Sequence, residues 1–543
     1  DGQRKWQLGG GGGELVVNFL LEDSAAELVL GNEYTTGTVT LTNIWNQIGS
    51  INFAGRVTLN YTDEEALGGS KISLGYTNRV IGSPSLLKNI TRTSDGVLLL
   101  DKMPTADVDL TDHHFMALGS DGDMVYSGSI TPTSGSYRFG GITGTLELQT
   151  ALTDGDGETR NLLVDGQGYA GGTLALATQA TLTGEVVVTG HDTDRHPEFS
   201  GGDISLRLDT ANAITSASRI TVKEGGSIDV NGTTQTFHGF NMEAGSALVD
   251  TSELWSGSAV VDVAAGATSR LGGNVDVYSL TKAGQGDMVL GGSNNYGVFF
   301  IEEGRVLLEN GNALSATGTA MLESGGVLDA SNVDISASIG FAGGTLQVGT
   351  KRVAGSLAVA AEYEGTVQQN ADKITTSINS GLQVAQGATL KLSGNHGNFN
   401  FSAEEINEDG GTIALEGNRI AFTNGKEMTI GGIVSLQGQG LAANERVTLY
   451  SDGSSDNMIR NINELHIVDG QSAAIQEASW NTIWNIHSLT GSGDLKWTSN
   501  TTHWFSAQLV LDGASTFTGG LTAKRTGGAD NNRKYQAYLV IAH

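Results

Sequence analysis

Residues 280–314 read LTKAGQGDMVLGGSNNYGVFFIEEGRVLLENGNAL. The apolar residues Leu280, Met288, Leu290, Ile301, Val306 and Leu308 stay in step, with Gly284, Gly286, Gly291, Gly292 and Gly304 between them. That many glycines would break a helix, and an irregular loop would not keep the apolar positions in step. Apolar residues alternating over short runs mark strands with one buried face. A glycine at the end of a run permits a corner with positive φ, where a Cβ would clash. The stretch therefore reads as short strands joined by glycine corners.

Outward from this stretch the corner recurs. It appears as VKEGGSIDV (222–230), MEAGSALV (242–249), VAAGATSRL (263–271), LESGGVLDA (322–330) and VAQGATLKL (384–392). Each has an apolar residue three positions before its first glycine. A longer copy, NAITSASRITVKEGGSIDV (212–230), aligns without a gap with NALSATGTAMLESGGVLDA (312–330). A strand, a corner and a second strand make part of one coil. Stacked coils pair each strand with its copies above and below and bury a continuous apolar column. A β-sandwich would also be punctuated by glycine, but it would not repeat one corner through hundreds of residues. The expected fold is all-β, a right-handed parallel β-helix (β-solenoid) with about 20–25 residues per coil.

Composition agrees with that reading. The chain has 543 residues with 78 glycines but only 4 prolines, and its 38% hydrophobic content argues against disorder. Cysteine is absent, so the chain has neither disulfides nor thiolate metal sites. This suits a chain that crosses a membrane unfolded, and equally a long repeat core that needs no staples. The formal charge of −29 repels phosphate and excludes nucleic acid as the expected partner. No apolar run is long enough to span a membrane as a helix. Asp1 opens mid-pattern without a basic leader, so the chain is expected to be a processed or excised piece of a longer protein.

Two regions are expected. Residues 136–543 read as regular parallel β-helix repeats. Residues 1–135 read as a less regular β region, taken as the start of the solenoid. Within it residues 78–115 hold two of the four prolines and read as an insertion or lateral loop.

The opening stretch resembles the passenger-associated transport repeat of bacterial autotransporters. Lys282, Gly284 and Gly286 match its Lys-x-Gly-x-Gly step, and Met288 and Leu290 its first strand. Asn294 or Asn295 with Tyr296 matches its turn, and Gly304 its corner. The Thr-Gly-Gly usual after the tyrosine is GVFF here. Related text lies in LGNEYTTGTVTL (30–41), with Asn32, Tyr34 and Gly37, and in STFTGGLT (515–522), with Phe517 in place of Tyr. SLTGSGDLKW (488–497) is a further glycine step without the lysine. The resemblance implies an autotransporter passenger from a Gram-negative cell, exported across the outer membrane to the cell surface. A C-terminal outer-membrane β-barrel translocator is implied in the full-length protein. The repeat serves passengers of many kinds and implies no particular activity.

IGSPS (81–85) lacks the flanking Asp and second Gly of a serine-protease nucleophile, and no Gly-x-Ser-x-Gly elbow occurs. Asp229 and Asp329 follow equivalent corners, where a β-helix glycosidase or lyase would place carboxylates; the favoured reading is that both face solvent. Asp112, His113 and His114 form one histidine cluster, and His191, Asp192, Asp194, His196 and Glu198 another. Either would offer zinc ligands, but both read as polar loop text. TDGDGE (153–158) starts like a calcium loop, yet Thr159 holds the sixth position and Asp165 the twelfth. Of seven tryptophans, Trp480, Trp484, Trp497 and Trp504 crowd the C-terminal end. They would stack on sugars if exposed and fill the coils if buried, and burial is favoured.

The sequence thus leads to a non-catalytic, surface-exposed passenger segment acting as a stalk or adhesin. No catalytic residue, cofactor or metal site is assigned. The partners in view are a host or bacterial surface glycan or protein. The alternatives are a β-helix polysaccharide lyase or glycosidase, and a self-associating coat or filament subunit.

Overall fold

The computed structural model describes residues 4–9, 11–34, 36–102, 104–133, 135–155, 157–191, 196, 202–379, 381–394, 397–403, 405–407, 409–416, 419–422, 427–437, 447–451, 458–477, 482–499, 506–525 and 536–541. They form a parallel β-solenoid of about 20 turns. The chain divides into two compact units: Asp1–Asp262 with Ser269–Tyr278, and Val263–Thr268 with Ser279–His543.

In the first unit one parallel ladder climbs from Glu14–Val17 through Thr38–Leu41, Thr58–Tyr61, Arg79–Ile81, Val97–Leu99 and Ala117–Gly119. It continues through Ser136–Gly140, Asn161–Asp165, Glu185–Thr189 and Arg219–Val222 to Phe240–Met242. Its register stacks like on like. Leu59, Val80, Leu98, Leu118, Phe139, Val164, Val188, Val222 and Met242 follow one another and are all buried. Burying each such side chain contributes about 1.5–3 kcal/mol, and a one-residue slip would turn the whole row outward. A second ladder runs from Met124–Tyr126 to Asn274–Asp276.

Residues 78–115, expected as an insertion or lateral loop, contribute two rungs to this ladder, Arg79–Ile81 and Val97–Leu99. Between them Pro84–Asn89 is a 3-10 helix with the proline at its start, where no backbone N–H is required. It buries Leu86 and Leu87.

The second unit repeats the logic. Val306, Leu328, Leu346, Val367, Leu392, Leu415, Leu436 and Ile467 stack in register on consecutive rungs and are buried. Coil length varies with the loops: coil-to-coil hydrogen bonds bridge 18 residues at Ser356–Ser338 but 34 at Asn461–Glu427. The expected corners are present in both units. The first glycine of each of the five repeated corners has positive φ: Gly225 at 74°, Gly245 at 80°, Gly266 at 78°, Gly325 at 97° and Gly387 at 83°.

The opening stretch now has a physical explanation. Lys282 is fully buried, and its Nζ donates to the carbonyls of Ala283 at 2.9 Å, Gly284 at 2.6 Å and Glu303 at 3.0 Å. A buried ammonium is tolerable only when hydrogen-bonded. Gly304 has φ 69°, and a Cβ there would meet the Gly284 carbonyl at 2.7 Å and the Lys282 ammonium at 2.9 Å. The corner glycine at 304 is therefore what leaves room for the backbone carbonyls to close round the lysine.

Candidate functional site

The less regular region of the first unit carries a lateral groove of about 620 Å³. Phe53, Arg56 and Tyr76 line it, with Glu33, Tyr34 and Thr36. Its wall is made by successive corners. Asn78 clamps two of them: its Oδ1 accepts from Gly75 N at 2.9 Å and its Nδ2 donates to the Gly55 carbonyl at 2.6 Å. Tyr34 stands 81% exposed at this groove. Its backbone N–H is held by Asn32 Oδ1 at 3.0 Å, an Asx turn that fixes where the tyrosine projects.

Behind the groove lies a polar cluster drawn from distant coils. The Tyr76 hydroxyl is 2.8 Å from both carboxylate oxygens of Asp165. Gln167 N donates to the same carboxylate at 2.9 Å. The His196 ring stacks on Tyr76 with centroids 4.0 Å apart, and its Nε2 is 3.2 Å from Asp95 Oδ2. Beside them Arg79 donates to Thr58 Oγ1 at 3.0 Å and to the Gly141 carbonyl at 3.1 Å, and pairs with Asp121 at 3.0 Å. Its guanidinium covers the Tyr169 ring at 4.1 Å, with Arg56 at 5.5 Å. The Tyr169 hydroxyl donates to the Thr77 carbonyl at 2.8 Å. Burial pushes the Tyr169 phenol up, against the pull of Arg79 and Arg56. These bonds join residues 89, 62 and 92 positions apart, so they brace several coils at once.

The backing charges are thus engaged with one another, while the groove presents an exposed aromatic ring, a guanidinium and a carboxylate. Such a surface suits a neutral or polar ring-shaped ligand that stacks on one face and exchanges hydrogen bonds at its edge. The second unit has a smaller lateral groove of about 340 Å³, lined by Asn461, Asn463, Asn485, His487 and Asp512 among others. It sits where the ladder shifts register between Ile430 and Ile433.

Asp229 and Asp329, expected to face solvent, are only 4% exposed. Asp229 caps the backbone of Asn231 at 2.9 Å and of Thr251 at 3.0 Å. Asp329 takes Ser331 N at 3.0 Å and the Arg305 guanidinium. Burial would raise the Asp329 carboxyl, but these bonds from Arg305 and Ser331 bring it below its ordinary value. The correction has a simple cause: after a glycine corner the aspartate turns back to cap the next turn.

Asp112 pairs with Arg92 at 3.0 Å, His114 Nδ1 lies 2.6 Å from Thr133 Oγ1, and His113 is buried. Of the second histidine cluster, His196 joins Tyr76, and Asp192, Asp194 and Glu198 lie outside the described residues. The His191 carbonyl accepts from Thr189 Oγ1 at 2.6 Å. In TDGDGE, Asp154 binds Thr183 Oγ1 at 2.6 Å and Arg160 N at 2.9 Å, a brace between coils, and Asp156 lies outside the described residues. Among the described residues no three His, Asp or Glu side chains are grouped as metal ligands. Trp484 and Trp497 are buried, as favoured, while Trp480 and Trp504 lie outside the described residues. Tyr76, Asp165 and Tyr169 gave no local signal, because their partners are several coils away.

By fold the chain is a parallel β-solenoid. No family model, no curated protein and no solved structure matches it.

Proposed function

We propose that this chain is a non-catalytic passenger segment, exported to the cell surface, that serves as a stalk and binds a surface glycan in the groove at residues 33–78. The observation that carries this reading is the contrast inside that site. Tyr34 stands exposed at the groove, while the carboxylate behind it, Asp165, is buried and accepts from Tyr76 and Gln167. A ring to stack on and a fixed wall support binding more than turnover. The export route rests on the resemblance of 280–308 to the passenger repeat. It is supported by the absence of cysteine and by stepwise stacking, in which each coil templates the next. In the longer protein a β-barrel translocator would follow.

A polysaccharide-cleaving reading is favoured by one observation, the convergence of Asp95, Asp165, His196 and Tyr76. One experiment separates the two. The purified chain is incubated with a panel of host and bacterial polysaccharides, scoring retention and new chain ends for the parent and for Tyr34→Ala. Retention without cleavage, lost in Tyr34→Ala, is expected. New chain ends that vanish in Asp165→Asn would overturn the binding reading.

A further inference from the structure

A separate pocket of about 600 Å³ opens on the same unit. Lys71, Lys88, Arg92, Thr91, Asp112 and His113 line it. Acidic residues outnumber basic ones by 59 to 30 in this chain, so three cations at one mouth reverse the prevailing sign. Their settings differ. Arg92 pairs with Asp112 at 3.0 Å, and Lys88 lies 4.0 Å from Glu64, which also accepts from Ser83 and Ser85. Lys71 has no carboxylate partner among the described residues; its Nζ donates only to the Lys88 carbonyl, at a long 3.3 Å.

The inner wall holds the second observation. His113 is 6% exposed, and its Nδ1 is buried without a hydrogen-bond partner. Buried polar atoms are almost always paired, and leaving one unpaired costs about 1–3 kcal/mol. Its backbone is fixed, with its N–H donating to the Leu110 carbonyl at 2.8 Å and its carbonyl accepting from Met116 N at 3.3 Å. Burial holds the imidazole below its ordinary pKa, with Arg92 adding to that and with Asp112 and the nearby backbone of Leu87 and Thr91 opposing it. A neutral ring protonated at Nδ1 has a hydrogen to give. An anion at the mouth would meet the uncompensated charge of Lys71, and a turn of the enclosed ring would bring that hydrogen to it.

We propose that the pocket formed by Lys71, Lys88, Arg92 and His113 binds a tetrahedral oxyanion, a sulfate or phosphate group carried on a ligand. The volume exceeds what one inorganic oxyanion fills, so the group would arrive as an ester on a larger molecule. Sulfate esters on a polysaccharide and phosphate esters on a sugar or lipid headgroup share this chemistry. The inference does not depend on the groove at Tyr34.

The test uses the full chain at about 0.01 M ionic strength, where screening is weak. Inorganic sulfate, inorganic phosphate, a sulfated monosaccharide and a phosphorylated monosaccharide are titrated in turn, followed by calorimetry and by the His113 ring resonances. Saturable binding of at least one oxyanion is expected, with a shift at His113. The double variant Lys71→Gln/Lys88→Gln should weaken it by about tenfold or more, with an unchanged circular dichroism spectrum because both side chains are exposed. Tyr34→Ala should leave it intact. A preference between the esters would name the source. Absence of saturable binding, equal competition by chloride, or undiminished binding in the double variant would each overturn the proposal.

Discussion

Two tyrosines stand at the same place in the Asn-x-Tyr turn of this chain, and they do opposite things. Tyr296 is 1% exposed and packs on Phe299 with centroids 5.5 Å apart. Asn294 of the same turn donates to the Gly291 and Ala313 carbonyls, so the motif is absorbed in building the coil. Tyr34 is held by its own asparagine, yet its ring is exposed at a groove. The difference lies in what surrounds them. The coils around Tyr296 are regular, and backbone and glycine close their corners. Around Tyr34 and Tyr76, long polar side chains brace the coils from a distance, and grooves open between them. Regular repeats commit their side chains to stacking, whereas the irregular region leaves Tyr34 exposed at a groove.

The comparison breaks most readily in the columns. Phe139→Ala in the first unit should cost about 3–5 kcal/mol and Leu346→Ala in the second about 2–5 kcal/mol, read from chemical denaturation. Near-zero loss at Leu346 would mean that the regular column is not what holds its coils.

Next in size is Lys282→Met. It removes the donor shared by three carbonyls, and about 1–3 kcal/mol should be lost. Tyr76→Phe should cost a similar amount by leaving the buried Asp165 with one donor fewer. If Lys282→Met proved neutral, the glycine step would not be built round the lysine.

The corner aspartates sharpen the comparison through pH. Asp250 accepts from Gly232 N at 2.7 Å and Gly257 N at 2.6 Å, and Asp329 is bound by Arg305 and Ser331. Burial would raise both carboxyls, but hydrogen bonding brings them below the ordinary value. A depressed carboxylate contributes stability that is present above its unfolded pKa and lost as pH falls through the folded one. Stability should therefore fall steadily below about pH 4, and Asp250→Asn should flatten that slope. An unchanged slope would show that the corner caps are not charged.

The smallest effect on stability is expected at Tyr34, whose removal should change it by less than about 0.5 kcal/mol.

Much of this fold was legible in the sequence because a solenoid writes its contacts locally. The five corner glycines announced their positive φ, and the alternation at Val306, Leu308 and Leu328 announced the column. The aspartates misled because a residue three positions past the second corner glycine looks like surface text, whereas the turn folds its carboxylate back onto backbone N–H groups. The braced cluster was illegible for the opposite reason. Tyr76, Asp95, Asp165 and His196 meet only after several coils have stacked, and no local spacing encodes that meeting.

The most direct test of the account is a hydrogen-exchange footprint of the full chain with a retained oligosaccharide. New protection confined to residues 33–36, 53–56 and 75–78, with the regular ladder from 304 to 348 unchanged, is the predicted result. Protection centred instead on 461–487, or on the regular ladder, would contradict it.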